Sequence, residues 1–154
     1  VYKRQIPPVV TVPGDQVRVA RVGEPISLIT HVWDDGLPKP RRESTNTAEE
    51  LNQRMMRRPT KVTVEKINGL FLSWNVYRGS GKVTFDPPLP KPWEDTRSSA
   101  NSPWGELWLP PEVPEDGIYD VSVTFDSPGS YTLWGRADDG GLYHDAFITV
   151  HVED

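Results

Sequence analysis

The sequence contains no cysteine. Disulfides, thiolate nucleophiles and cysteine-based zinc or iron–sulfur sites are therefore excluded. No apolar run approaches the roughly 18 residues that a membrane helix needs. Positive charge is not in surplus: 17 Lys and Arg stand against 22 Asp and Glu, a net charge of −5. A phosphate-backbone binder is not built this way. There is no HExxH, no Gly-x-Ser-x-Gly elbow, no P-loop and no dinucleotide fingerprint. The three histidines, His31, His144 and His151, show no short-range ligand spacing. No internal repeat is present. No leader is visible before Val1, and the chain is expected to be a mature form or a piece of a longer protein.

What is present is proline and glycine, at 16 and 12 residues in a chain of 154. That length is one domain and buries a core without staples. Proline at this level disfavours long helices and central strands, and favours edges, turns and extended loops. Hydrophobic residues at 36% and charged residues at 25% describe a globular chain with a large loop share.

The stretch from Tyr119 to Val152 organises the rest. Side chains alternate along a strand. Val121, Val123 and Phe125 therefore share a face. So do Tyr131, Leu133 and Ala137, and so do Ala146, Ile148, Val150 and Val152. Turns at Asp126–Ser130 and Asp138–Leu142 join the three runs, which read as an antiparallel meander. Upstream, residues 9–12 and 17–20 read as one edge strand split at Pro13-Gly14. In residues 26–32, Ile26, Leu28, Thr30 and Val32 share one face.

Residues 71–77 form the clearest central strand, with Leu72, Trp74 and Val76 on one side. Residues 82–86 are expected to pair back on it after the turn at Arg78–Gly81. Residues 61–67 read as a strand or a loop edge. Residues 47–58 read as a short helix, with Thr47 and Glu50 spaced as a capping box and Pro59 as its stop. Residues 87–117 are irregular and rich in Pro and Trp, a length that is functional or packed by its own side chains. Seven to nine short strands and at most one helix give an all-β sandwich.

At this point the residues resemble a known family. Leu72-Ser73-Trp74-Asn75-Val76, then Asp126-Ser-Pro-Gly-Ser-Tyr131-Thr-Leu133, then a closing strand, resemble the immunoglobulin-like sandwich, in particular the PKD-like domains of exported bacterial proteins. The resemblance covers residues 17–33, 70–86 and 119–152. It implies that Trp74 lies in the core and that Tyr131 makes a corner two residues before a core position. That position is Leu133, and its second-strand partner is Leu28. It also implies an antiparallel sandwich over residues 6–154 and an extracytoplasmic place, whether periplasmic, cell-surface or secreted. Members act as spacers, adhesive or binding modules, or accessory subunits. The opening Val-Tyr-Lys-Arg-Gln resembles translated adapter sequence, and residues 1–5 are left out of the fold.

Candidate sites follow. Asp34-Asp35-Gly36 leaves the second strand and Asp138-Asp139-Gly140 the sixth. In such a sandwich both loops emerge at one end. Asp34, Asp35, Asp138 and Asp139 are candidate calcium ligands, although Asp-Gly is also simple turn chemistry and that reading is the stronger. Trp93, Trp104 and Trp108 are candidates for an aromatic platform facing a partner or a glycan, against a role as a cap on the sheet. Arg54, Arg57 and Arg58 are candidates for an acidic partner, against a solvated mixed-charge helix. Trp134 is out of phase with Leu133 and faces the outer surface or a partner. His144-Asp145 invites an acid–base role that no neighbouring motif supports.

The expectation is a non-enzymatic structural or protein-binding module, an accessory subunit or part of a larger assembly. It would contact protein partners through 34–60 and 87–117, with no nucleic acid and no cofactor beyond the candidate calcium. The alternative is a carbohydrate-binding module using the loop tryptophans.

Overall fold

The computed structural model describes residues 5–39, 56, 69–89 and 112–154. Among the described residues eight strands run in chain order: β1 (Val9–Thr11), β2 (Val17–Arg21), β3 (Ile26–Trp33), β4 (Phe71–Arg78), β5 (Val83–Asp86), β6 (Ile118–Phe125), β7 (Gly129–Asp138) and β8 (Tyr143–Glu153). They form two four-stranded sheets, ordered β1-β3-β6-β5 and β2-β8-β7-β4. Among the described residues there is no helix, and none long and apolar enough to cross a membrane. The helix read over 47–58, apart from Met56, and the strand read over 61–67 lie outside the described residues.

The alternating faces hold. Leu28, Thr30 and Val32 of β3 and Val121, Val123 and Phe125 of β6 point inward from the first sheet. Leu72 and Trp74 of β4, Tyr131, Leu133 and Ala137 of β7, and Ile148, Val150 and Val152 of β8 meet them from the second. Thr30 apart, these side chains belong to one hydrophobic cluster, so the two sheets share a core. Leu28 and Leu133 are both fully buried in it. Val76, expected inside, is exposed where the β4–β7 register shifts between Val76 and Arg78.

The split first strand is divided between the sheets. β1 pairs antiparallel with β3, whereas β2 pairs parallel with β8. Pro13 and Gly14, the latter at φ +91°, make the transfer. Arg18 then ties the two layers at this edge. Its guanidinium donates to the carbonyls of Ser27 in β3 and Pro13, at 3.0 and 2.9 Å, and its Nε to that of Asp15. An inward-pointing charge at an edge also discourages pairing with foreign strands.

Two expected pairings are corrected. The run 119–152 is not a three-stranded meander: β6 pairs with β3 and β5, and only β7 and β8 form a hairpin. Residues 82–86 do not pair back on β4 but cross to β6 in the opposite sheet. The physical reason is one aromatic ring. Tyr131 is 1% exposed and stands between the two crossing turns. Its hydroxyl donates to the Ser127 carbonyl at 2.8 Å, and its ring packs on Phe125 at 4.8 Å between centroids. A Cβ on Gly79 or Gly81 would run into the ring or hydroxyl of Tyr131. Asp126 accepts the Lys82 N–H at 2.7 Å and stitches the two turns together.

Trp74 is the second anchor. It is 2% exposed, and its Nε1 donates across the layers to Thr30 Oγ1 at 3.3 Å. Its cross-strand partner is Gly135, where an added Cβ would lie 2.8 Å from the indole. A small residue opposite a large one lets the layers close.

Two tyrosines make a paired prediction. The Tyr119 hydroxyl is buried without a hydrogen-bond partner among the described residues, and burial pushes its pKa up to about 12. Removing an unpaired buried hydroxyl is neutral or favourable, whereas removing a paired one loses the bond. Tyr119→Phe is therefore expected to leave thermal stability unchanged or raised by up to about 1 kcal/mol. Tyr131→Phe is expected to cost about 1 kcal/mol. Urea melts of the two variants, side by side, check the contrast.

Candidate functional site

The first candidate region is the pole where β3 ends and β7 turns into β8. The sequence placed Asp34, Asp35, Asp138 and Asp139 together, and Asp34 and Asp139 are close enough to repel one another. At least one oxygen of each, however, is occupied by a donor, whereas Asp34 Oδ1 is buried without one among the described residues. Asp34 Oδ2 accepts the Gly36 N–H and Asp138 Oδ1 the Gly140 N–H, at 2.8 and 2.7 Å. Asp35 accepts from Leu37 and, through its other oxygen, from Ile6. Asp139 is 1% exposed; one oxygen takes the Gly141 and Leu142 N–H groups, and the other takes Gln5 Nε2 at 2.8 Å.

Each carboxylate thus closes a turn or ties one to the chain start. Among the described residues no three acids or imidazoles converge as metal ligands. Millimolar calcium is expected to leave the melting temperature where it is, since only a ligand that binds the native state raises it. A thermal scan with and without EDTA measures this. Gln5, left outside the fold by its sequence, also donates to the Leu37 carbonyl and belongs to this network.

The second region is the outer face of the β2-β8-β7-β4 sheet. Outward positions pair across β7 and β8 as Trp134 with Phe147, Arg136 with Asp145, and Asp138 with Tyr143. Arg136 grips Asp145 with two parallel bonds of 2.7 and 2.8 Å. Its guanidinium also lies over the Tyr143 ring at 3.8 Å and the Trp134 ring at 4.7 Å. Phe147 meets Tyr77 edge-on at 5.6 Å, and Arg78 sits over Tyr77. Tyr77, Tyr143 and Phe147 are 56%, 55% and 45% exposed. Aromatic rings with arginine, held by a rigid ladder, form the composition that binding surfaces favour.

His144 and Asp145 turn to different hydrogen-bond partners. Adjacent strand residues face opposite sides. Asp145 goes outward to Arg136, while His144 Nδ1 accepts the Val10 N–H at 3.1 Å. Trp93, Trp104, Trp108, Arg54, Arg57 and Arg58 lie outside the described residues. The outer-face cluster is what the sequence reading missed, apart from the outward phase of Trp134. The signal was there in two alternations, Trp134-x-Arg136-x-Asp138 and Tyr143-x-Asp145-x-Phe147.

Charges on this side respond to acid in opposite senses. Arg136 holds the Asp145 carboxyl below its usual range. Its stabilisation is therefore present above the ordinary carboxylate value and is lost as pH falls through the depressed one. Burial pushes Asp34 and Asp138 up. Those two oppose folding at neutral pH and are relieved as pH falls through their raised values. Asp145→Asn is expected to cost about 1–2 kcal/mol at pH 7 and progressively less below pH ~4. Asp34→Asn keeps the turn acceptor, and is expected to raise stability at pH 7. Melting curves across this pH range test both signs.

No protein-family model matches the chain, and no curated protein does. Among solved structures it is similar to domains 4 and 5 of the S-layer protein SbsC, at 10% identity and TM-score 0.44, over 98% of this chain and 48% of that one. A longer piece of SbsC aligns at 9% identity and TM-score 0.40, over 95% of this chain and 13% of the other. A point mutant of the SrpA adhesin from Streptococcus sanguinis aligns at 16% identity and TM-score 0.39, over 98% and 57%. The chain spans about half the length of the first of these. Likeness at this level carries no inference about function.

Proposed function

We propose that the chain is an immunoglobulin-like sandwich of the PKD-like kind, acting as a non-enzymatic, extracytoplasmic module that binds a protein partner within a larger assembly. Support for the fold comes from strand order, from the parallel β2–β8 pair, and from the Tyr131 corner and the buried Trp74. The extracytoplasmic place rests on the resemblance to exported domains. The observation that carries binding is the cluster on the outer face of the second sheet, where exposed Tyr77, Phe147 and Tyr143 surround half-buried Trp134 and Arg136.

Gln5 is tied at the Asp139 pole, whereas Glu153 accepts from Val22 at the other end of the ten-residue β7. Gln5 and Glu153 therefore lie at opposite poles, roughly 30 Å apart at the usual rise of a strand. Segments 34–60 and 87–117, with Arg54, Arg57, Arg58, Trp93, Trp104 and Trp108, are proposed as further contacts.

A photo-cross-linking residue at position 147 tests the reading in the cell that makes the protein. A discrete adduct to one protein is expected there, and none from position 84 on the other sheet. Equal labelling at both positions, or none at 147, would remove the outer face as a binding surface. Strong hits on a glycan array, lost when Trp93, Trp104 or Trp108 is changed to alanine, would favour the carbohydrate alternative instead.

A further inference from the structure

The chain start crosses the acidic pole as a strap before β1 joins the first sheet. Gln5 is held by Asp139 and the Leu37 carbonyl, and Ile6 by Asp35. Val10, 2% exposed, sits on β1 with its side chain in the core. β1 is an edge strand only three residues long, paired on one side with β3. The Val10 N–H points the other way, and its acceptor is the imidazole of His144 on β8, in the opposite sheet. One side chain thus completes the edge strand and links the two layers.

We propose that His144 is an acid-sensitive latch on residues 5–12: the neutral imidazole accepts the Val10 N–H at Nδ1, and a proton taken from solvent onto Nδ1 releases β1 from the β8 side. The step is balanced. The lone pair that received the amide hydrogen receives the proton instead, and no other bond is made or broken. Two N–H donors then face each other, so the edge strand loses its tie to the second layer and keeps only its pairing with β3. Histidine is the side chain whose charge changes between about pH 5 and 8.

The charged surroundings are identified strand by strand. On β8, Asp145 interacts with the imidazole but is turned outward to Arg136. On β7, His144 lies opposite Ala137, with Arg136 and Asp138 on the outer face. The β7–β8 turn contributes Asp139, bonded to Gln5, and the loop after β3 contributes Asp35, bonded to Ile6. Across β1, Thr11 pairs with His31, which is exposed on β3. Asp34 and Asp138 bond their own turns and do not hold the strap.

Amide exchange at Val10, corrected for the intrinsic effect of pH, tests the latch. In the native chain, protection is expected to fall at least tenfold between pH 7.5 and 5.0, while Val150 in the β7–β8 ladder stays protected. His144→Asn places an acceptor oxygen near the Nδ1 position and cannot be protonated in this range; its Val10 protection is expected to be flat with pH. His144→Ala is expected to be unprotected at both. Unchanged Val10 protection in the native chain would overturn the latch. So would an equal fall in His144→Asn, which would move the response to the carboxylates. A third readout does not depend on any variant folding. Long-range ¹H–¹⁵N spectra at pH 7.5 are expected to show His144 protonated at Nε2 alone, and a proton on Nδ1 contradicts the proposal.

Discussion

Gly79→Ala is expected to destabilise the protein by about 3–4 kcal/mol, two costs acting together. Gly79 has φ +143°, where an L side chain is strained by about 1 kcal/mol or more. An added Cβ would also enter the Tyr131 ring, which is wedged between two turns and has Phe125 behind it. Overpacking of this kind adds about 1–3 kcal/mol. For a domain of this size each kcal/mol moves the melting temperature by about 2–4 °C. A drop on the order of 10 °C is therefore expected in calorimetry. Gly23→Ala is the control: Gly23 has φ +77° but meets nothing within 4 Å, so only the backbone cost applies. Similar losses at both positions would show that the ring is not clamped by the turn.

Trp74→Ala is expected to cost about 3–5 kcal/mol, the range for emptying an aromatic site in a core. Here the loss is threefold. The indole volume is vacated, the Thr30 hydroxyl loses its cross-layer donor, and Gly135 on the facing strand has no side chain with which to fill the space. Trp74→Phe keeps most of the ring but not the N–H, and is expected to cost about half as much. Gly135→Ala acts on the same contact from the other side. It inserts a methyl 2.8 Å from the indole, so it is expected to destabilise Trp74 protein strongly and Trp74→Ala protein weakly. Denaturant melts of the double-mutant cycle measure that coupling. Additive losses would mean that the two residues do not touch.

Which faces turn inward was legible in the sequence, because alternation along β3, β6, β7 and β8 follows directly from the spacing of apolar residues. The roles of Trp74 and Tyr131 were legible through the resemblance. Where two strands go was not. The turn at Asp126–Ser130 has the same Pro-Gly chemistry whether the flanking strands pair or separate, and so does Arg78–Gly81. Alternation says which side of a strand is buried, not which sheet receives it. The choice is made by Tyr131, whose ring fills the gap between the crossing turns, and by the glycines that leave room for it.

The site was legible in part. Topology placed the acidic turns at one pole, but not the N–H groups that occupy their oxygens. The outward phase of Trp134 was visible, whereas its neighbours on β8 depend on register. Only that register brings Arg136 beside Asp145 and Tyr143.

The account stands on two sheets that exchange strands across a shared core, and interstrand backbone NOEs test it most directly. Contacts are predicted from β6 to β3 and β5, such as Val121 with Leu28 and Val123 with Phe85, and from β2 to β8 in parallel, such as Val19 with His151. Among the described strands, β7 should show ladder contacts to β4 and β8 alone. Ladder contacts between β6 and β7, in place of those to β3 and β5, would make the last three runs one continuous meander and contradict it.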